Sequence, residues 1–282
     1  MNFSFPTQQN THLDELVQNY LLWLKDIKKA PYQTFRAYQV DLIQFLKYFL
    51  RMDKNEITSK DDMEAYLATI KNKYNYASYR RKVTVLRNFI SYLIDSGINV
   101  PDPLISISLP MPDINFNLPI EYEDVLNLID SLPEDNFQNI RDKIVFCLIG
   151  KSGLTIKQLL SIKIKDLNLA TNQIIISRNQ LTFIDTKTVS LIEKFFSSIN
   201  KNGTSPLSLD DYLIANHLKG TKLPLSTRTI NLIIDKTARE MNFKVRLSPT
   251  ILRRLFAKSL SEKNINKSTK EMILGKKCRL VG

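Results

Sequence analysis

Proline density divides this chain before any other feature is weighed. Between Val100 and Pro119 stand Pro101, Pro103, Pro110, Pro112 and Pro119, and not one lysine or arginine. Proline fixes φ and removes an amide donor, so such a stretch sustains neither a helix nor a central strand. The expectation is a linker over 101–119 that separates a first domain over 1–100 from a second over 120–282. With 282 residues, 43% of them hydrophobic and 24% charged, the chain has material for two cores and reads as folded rather than disordered.

Ahead of the linker, apolar residues recur at helical spacing. Leu13, Leu16, Val17, Tyr20, Leu21, Leu24 and Ile27 form one stripe, with Thr11 placed to cap it. After a break at Pro31, Phe35, Tyr38, Leu42, Phe45, Leu46 and Phe49 form a second, with Thr34 placed as its cap. Ser59 or Lys60 to Lys71 and Ser78 to Asp95 give two more, the last carrying Val83, Leu86, Phe89, Ile90 and Leu93 and stopped by Gly97. The first domain is read as four helices.

Beyond the linker, helical spacing returns over Glu121–Ser131, Ile140–Ser152 and Ile156–Ile162. The β-branched run Gln173–Ser177 predicts a short strand, paired with Thr182-Phe183-Ile184 as a hairpin across Arg178–Leu181. Further helices are expected at Thr186–Ile199, Ser208–His217, Ser226–Met241, Pro249–Lys263 and Lys267–Leu274. The fold class is mainly α with a small β-sheet.

Charge narrows the partner. Forty Lys and Arg stand against 28 Asp and Glu, a net charge of +12, and Arg239–Gly282 alone holds twelve basic residues against three acidic. That balance fits a polyanion, or a lysine-rich surface that is merely solvated. No apolar run is long enough for a membrane span and no leader opens the chain, so a cytoplasmic protein is expected. Cys147 and Cys278 make no metal or disulfide pattern, His12 and His217 are isolated, and neither a metal nor a cofactor is expected. Gly150-Lys151-Ser152 imitates the end of a phosphate-binding loop, but Val145 stands where that loop needs its first glycine.

One stretch carries chemistry. Leu247-Ser248-Pro249-Thr250-Ile251-Leu252-Arg253-Arg254-Leu255-Phe256-Ala257 resembles the second box of tyrosine recombinases, the phage integrase and Xer type, which reads S-P-H-x-L-R-H-x-F-A. Thr34, Tyr38, Asp41 and Leu42 resemble the T-x-x-x-Y-x-x-D-L helix of that family's core-binding, SAM-like domain. Arg81, Arg87, Phe89 and Tyr92 resemble its R-x-x-x-x-x-R-x-F-x-x-Y helix. Arg141-Asp142, Ser152-Gly153-Leu154 with Gln158-Leu159, and Ile162–Leu169 follow its catalytic domain in order. The resemblance implies an N-terminal helical DNA-binding domain and a C-terminal α+β catalytic domain, closing on duplex DNA as a clamp with the linker crossing the duplex.

It also implies a reaction for which the residues are mostly wrong. In the family two arginines and a lysine neutralise the scissile phosphate, a His or Trp assists, and a tyrosine attacks phosphorus. Here Thr155 stands at the first arginine, Asn179 near the hairpin lysine with Arg178 beside it, Thr250 and Arg254 at the two box histidines, and Lys276 at the histidine of L-G-H. Only Arg253 keeps a catalytic identity. The last tyrosine is Tyr212, so the chain reads as a degenerate, C-terminally shortened relative, catalytically inactive. A tyrosine donated by a homo-oligomer or related recombinase is the alternative, and a helical interaction module with an incidental basic surface is another.

The DNA contacts expected are Arg80, Arg81, Lys82, Arg87, Arg178, Arg253, Arg254 and Lys276. Tyr74, Tyr76 and Tyr79 interleave with the first of these. For Arg253 a second reading stays open, a buried arginine paired with Asp166 or Glu271. Phe89 and Tyr92 are read as core.

Overall fold

The structure, a computed structural model, describes residues 13–52, 54, 59–98, 100, 104, 119–178, 180–202, 206–217 and 223–275. The chain divides into two compact units, Met1–Phe116 and Asn117–Gly282. Of the proline-rich stretch 101–119, all but Leu104 and Pro119 lies outside the described residues, as do Thr11, His12, Asn179, Lys276, Lys277 and Cys278.

Each helix of the first unit buries one apolar stripe. Helix α1 (Leu13–Asp26) turns Leu13, Leu16, Val17, Tyr20 and Leu24 inward, and α2 (Tyr32–Leu50) turns in Leu42, Phe45 and Phe49. Ile27 falls beyond the end of α1 and is 53% exposed, because Lys29 turns the backbone at φ 47° and breaks the period there. The expected cap at Thr34 is also displaced. Pro31 is itself the last non-helical residue and its carbonyl accepts from Phe35 N at 3.0 Å, leaving Thr34 inside the first turn. Helix α3 (Lys60–Lys73) starts at Ser59, whose Oγ accepts from Asp62 N at 3.2 Å. Helix α4 (Tyr76–Asp95) starts two residues earlier than predicted because Asn75 Oδ1 accepts from Ser78 N at 3.0 Å.

These stripes meet in an aromatic core. Phe45 packs on Phe49, Tyr66 and Phe89, and Tyr20 on Phe89 and Tyr92, with centroids 4.8 to 6.5 Å apart. Each such buried side chain contributes roughly 1.5–3 kcal/mol, so this cluster alone exceeds any surface pairing in the unit. Burial pushes the Tyr20 and Tyr66 hydroxyls well above the ordinary tyrosine range, leaving them neutral.

The second unit is mostly helical around a small antiparallel sheet. Helix α5 (Tyr122–Ser131) is followed by α6 (Phe137–Phe146), which starts where Asn136 Oδ1 accepts from Asn139 N at 2.9 Å. Instead of running on to Ser152 as an α-helix, α6 widens into a π-helical turn, Cys147–Lys151. Helix α7 (Ile156–Ser161) then leads to strands β1 (Leu167–Asn168), β2 (Gln173–Ser177) and β3 (Gln180–Phe183), in that spatial order. Strand β1 was not anticipated, two residues being too short for a visible period. The hairpin is tighter than expected, since Ser177 already pairs with Gln180.

Helices α8 (Thr186–Asn202), α9 (Thr227–Glu240), α10 (Pro249–Glu262) and α11 (Lys267–Leu274) complete the unit. The helix expected over Ser208–His217 is not there. Leu213 N donates to Ile162 O and Leu225 N to Ile214 O, so this segment is held by partners distant in sequence. Leu213, Ile214 and Ala215 are buried consecutively. No helix among the described residues is long and apolar enough to cross a membrane.

Candidate nucleic-acid interface

Arg253 is placed by two helices and a glycine. Ser248 Oγ accepts from Ile251 N at 3.3 Å and Pro249 occupies the first turn, which starts α10 so that Arg253 faces the loop after the π turn. The π turn closes with Ser152 N donating to Cys147 O and Leu154 N to Leu148 O, and it delivers Gly153 at φ +68°. A Cβ at Gly153 would lie 2.6 Å from the Phe256 ring and 2.9 Å from Leu274, so only glycine fits this crossing. The Gly153 carbonyl therefore accepts from Arg253 Nε at 2.6 Å, and Arg253 Nη2 donates to Leu274 O at 2.6 Å.

Neither Asp166 nor Glu271 pairs with it. Asp166 is used locally, accepting from Lys163 N at 2.8 Å, and among the described residues no carboxylate bridges Arg253. Two neutral carbonyls hold the half-buried guanidinium, and no carboxylate among the described residues compensates its charge.

The neighbours are neutral too. Thr155 caps α7: its Oγ1 accepts from Gln158 N at 3.2 Å, and Gln158 Oε1 accepts from Thr155 N at 2.9 Å. Gln158 Nε2 donates to Gln180 Oε1 at 3.0 Å, and Gln180 Nε2 donates to Ile273 O at 3.1 Å. This amide relay ties α7, β3 and the end of α11 together beside Arg253. Gln180 escaped the sequence reading; the Thr155-x-x-Gln158 spacing of a capping box was the legible part of it. Thr250, Arg178 and Arg254 are exposed, on α10, the β2–β3 turn and α10 respectively. Asn179 and Lys276 lie outside the described residues.

The first unit gathers its own polar cluster between α2 and α4. Asp41, 3% exposed, accepts from Arg81 Nη1 and from Lys82 Nζ, the latter at 2.7 Å. Lys82 also donates to Gln44 Oε1 at 2.6 Å, and its ammonium sits 4.5 Å from the Tyr74 ring centroid. At 4% exposure Lys82 is a buried structural cation, which corrects its place among the expected DNA contacts. Arg81 keeps 44% of its side chain exposed. Arg80 and Arg87 are half-buried, Arg87 donating to Leu104 O at 3.5 Å. Phe89 is fully buried, and Tyr92 packs on Tyr20 and Trp23.

A cleft of about 380 Å³ opens elsewhere, between α5, α6, the π turn and α8, and is lined by Lys143, Lys151, Lys187 and Lys194. Their charges are spent: Lys143 and Lys194 on Glu134, Lys187 on Asp130, and Lys151 on Asp130 and Asp185. Lys151, the lysine of the loop imitation, is thus paired with two carboxylates. The Cys147 thiol beneath is pushed up to about 11 by burial and is inert.

Comparison with known proteins bears on both units. Residues 17–97 match the description "Phage integrase, N-terminal SAM-like domain", and residues 120–277 match "Phage integrase family". A tyrosine recombinase of Pseudothermotoga lettingae is 28% identical over 93% of this chain and 90% of its own length. Tyrosine recombinase XerC of Staphylococcus epidermidis is 24% identical over 93% and 89%. Among solved structures, the Tn1549 transposon integrase in complex with circular intermediate DNA superposes with a TM-score of 0.70 at 16% identity, covering 94% of this chain and 92% of that one. XerH recombinase bound to difH substrate gives 0.69 at 18%, covering 95% and 79%. These structures share the fold. The integrase match alone takes in more than half of the residues, and the chain belongs to the phage integrase family of tyrosine recombinases.

Proposed function

We propose that this member of the family binds duplex DNA through its phosphates and does not cut it. The carrying observation is Arg253, a half-buried guanidinium held by the Gly153 and Leu274 carbonyls and neutralised by no carboxylate among the described residues. A partly desolvated cation without a counter-charge is costly unless an anion supplies one. Two of its five N–H groups are used by those carbonyls, which leaves three to grip a phosphate oxygen. The relatives solved with circular intermediate DNA and with difH substrate have the same fold.

Binding and cleavage make different demands. Attack at a phosphodiester builds extra negative charge in the transition state, which active relatives are expected to meet with several fixed cations. Among the described residues, those bonded together beside Arg253 are Thr155, Gln158 and Gln180, which bring dipoles but no charge. Losing one electrostatic donor costs about 10²- to 10³-fold in rate, and such groups act as a unit.

The test is a titration of labelled duplex into the full chain across a salt series, with a nicked suicide duplex run in parallel. Retardation that weakens with salt, log K falling by about 0.9 per phosphate neutralised, is expected, with no covalent adduct. Absence of retardation at low salt removes the binding half of the reading. An adduct, with or without an added related recombinase, removes the inactive half.

A further inference from the structure

Arg253 is tied to the C-terminus of α11, so whatever holds that end of α11 also aims the guanidinium. The last turn of a helix leaves carbonyls without intrahelical donors. Gly275 N donates to Glu271 O at 2.8 Å, while the final two carbonyls are taken by side chains from other elements. Ile273 O accepts from Gln180 Nε2 of β3 at 3.1 Å, and Leu274 O accepts from Arg253 Nη2 of α10 at 2.6 Å. Neighbouring carbonyls do not move independently, so the bond from Gln180 fixes the place of the oxygen that the guanidinium meets. The chain also leaves α11 against this amide: a Cβ at Gly275, where φ is +86°, would lie 3.5 Å from both Gln180 Nε2 and Gln180 Oε1.

The amide is itself oriented. Thr155 donates twice to Gln158 Oε1, from its N at 2.9 Å and from its Oγ1 at 2.8 Å, which turns Gln158 Nε2 towards Gln180 Oε1 at 3.0 Å. With its oxygen so occupied, Gln180 offers its Nε2 to Ile273 O. Flipping either amide would set donor against donor at one end and acceptor against acceptor at the other. Both glutamines are half-buried, so water does not readily replace a lost partner. The direction of each bond from Thr155 to α11 is therefore fixed by the one before it, and bonds in such a chain support one another.

We infer that Gln180 is a positioning residue of the phosphate site: through the end of α11 it sets the direction in which Arg253 presents its remaining N–H groups, and Gln158 holds Gln180 in turn. The inference rests on the reading of Arg253 as a phosphate contact and deepens it, assigning the aim of the grip to a neutral amide relay rather than to a further cation.

A double-mutant cycle on the full chain tests it, with affinity for a labelled duplex measured across a salt series and the melting of each variant followed alongside. Gln180→Met keeps the length of the side chain and removes both of its bonds. It should weaken binding by about fivefold, the worth of one hydrogen bond, and make the salt slope shallower by up to about 0.9, the share of one phosphate. In an Arg253→Ala background the same substitution should change neither quantity, because no guanidinium is left to aim. If Arg253→Ala does not stay folded, Arg253→Lys, which lacks the fork that reaches both carbonyls, takes its place in the cycle and should silence Gln180→Met as well. Ile192→Val, at a fully buried position of α8, loosens the same unit without touching the relay and should leave affinity and slope as they are. An equal loss with and without Arg253, or a loss that Ile192→Val reproduces, marks a merely structural glutamine and overturns the inference, as does full affinity and slope in Gln180→Met. In those outcomes the unaltered chain still binds and the DNA-binding reading stands; no binding of the unaltered chain to any duplex at low salt defeats both.

Discussion

Arg253 and Gly153 form one device, and substitutions at the two should separate its parts. Gly153→Ala adds a methyl 2.6 Å from the Phe256 ring at a backbone φ of +68°, so a loss of roughly 1–3 kcal/mol is expected in thermal or denaturant unfolding. Arg253→Lys keeps the charge but not the fork that reaches two carbonyls 121 positions apart in the chain. It should hold the salt slope of DNA binding while lowering stability by about 1–2 kcal/mol; Arg253→Ala should lower both. The arginine itself was legible from its box. Its partners were not, because both are backbone carbonyls, which every residue carries. Lys82 was legible and overlooked: it stands in helical register with Leu86, Phe89 and Leu93, on the stripe that faces the core.

The crossing of α2 and α4 depends on a carboxylate more than on either cation. Asp41→Asn leaves Lys82 buried without a counter-charge and should cost about 3–5 kcal/mol, whereas Lys82→Met leaves Asp41 with Arg81 and should cost much less. Around α5 and α8 the lysine cleft gives a pH signature. Hydrogen bonding from Lys187 lowers Asp130, and Lys143 with Lys194 lowers Glu134. Asp185, although burial opposes it, is held down by Thr188 and Lys151. A carboxyl depressed in the folded state stabilises above its unfolded pKa and loses that contribution as pH falls through the folded one. The melting temperature of the second unit should therefore hold above about pH 5 and fall on acidification below about pH 4. Asp142, raised mainly by burial, works weakly against this. Helices with a strong apolar period were readable to within a few residues. The π turn after Phe146 was not, since widening by one residue leaves composition unchanged, and Ser208–His217 was misread because three consecutive buried residues mimic part of a helical stripe.

At the level of the whole molecule, each unit has its own core, so each should fold without the other. Residues 1–100 and 120–282 prepared as separate proteins are expected to melt cooperatively, as followed by circular dichroism. Proline density, a local property, is what sets the expected division at 101–119. The net charge of +12 and the uneven basic content of Arg239–Gly282 pointed to a polyanion, but not to which cations are spent on neighbouring carboxylates.

The knot at Arg253 has a kinetic consequence. Its two hydrogen bonds join residues separated by 100 and by 21 positions, so the first cannot form until α10 has docked against the loop after the π turn, nor the second until α11 packs on α10. Contacts that close loops of this length belong late on the folding route. A chevron of Arg253→Ala should show an almost unaltered refolding limb and a steeply faster unfolding limb, so this arginine governs how long the second unit stays folded rather than how quickly it gets there.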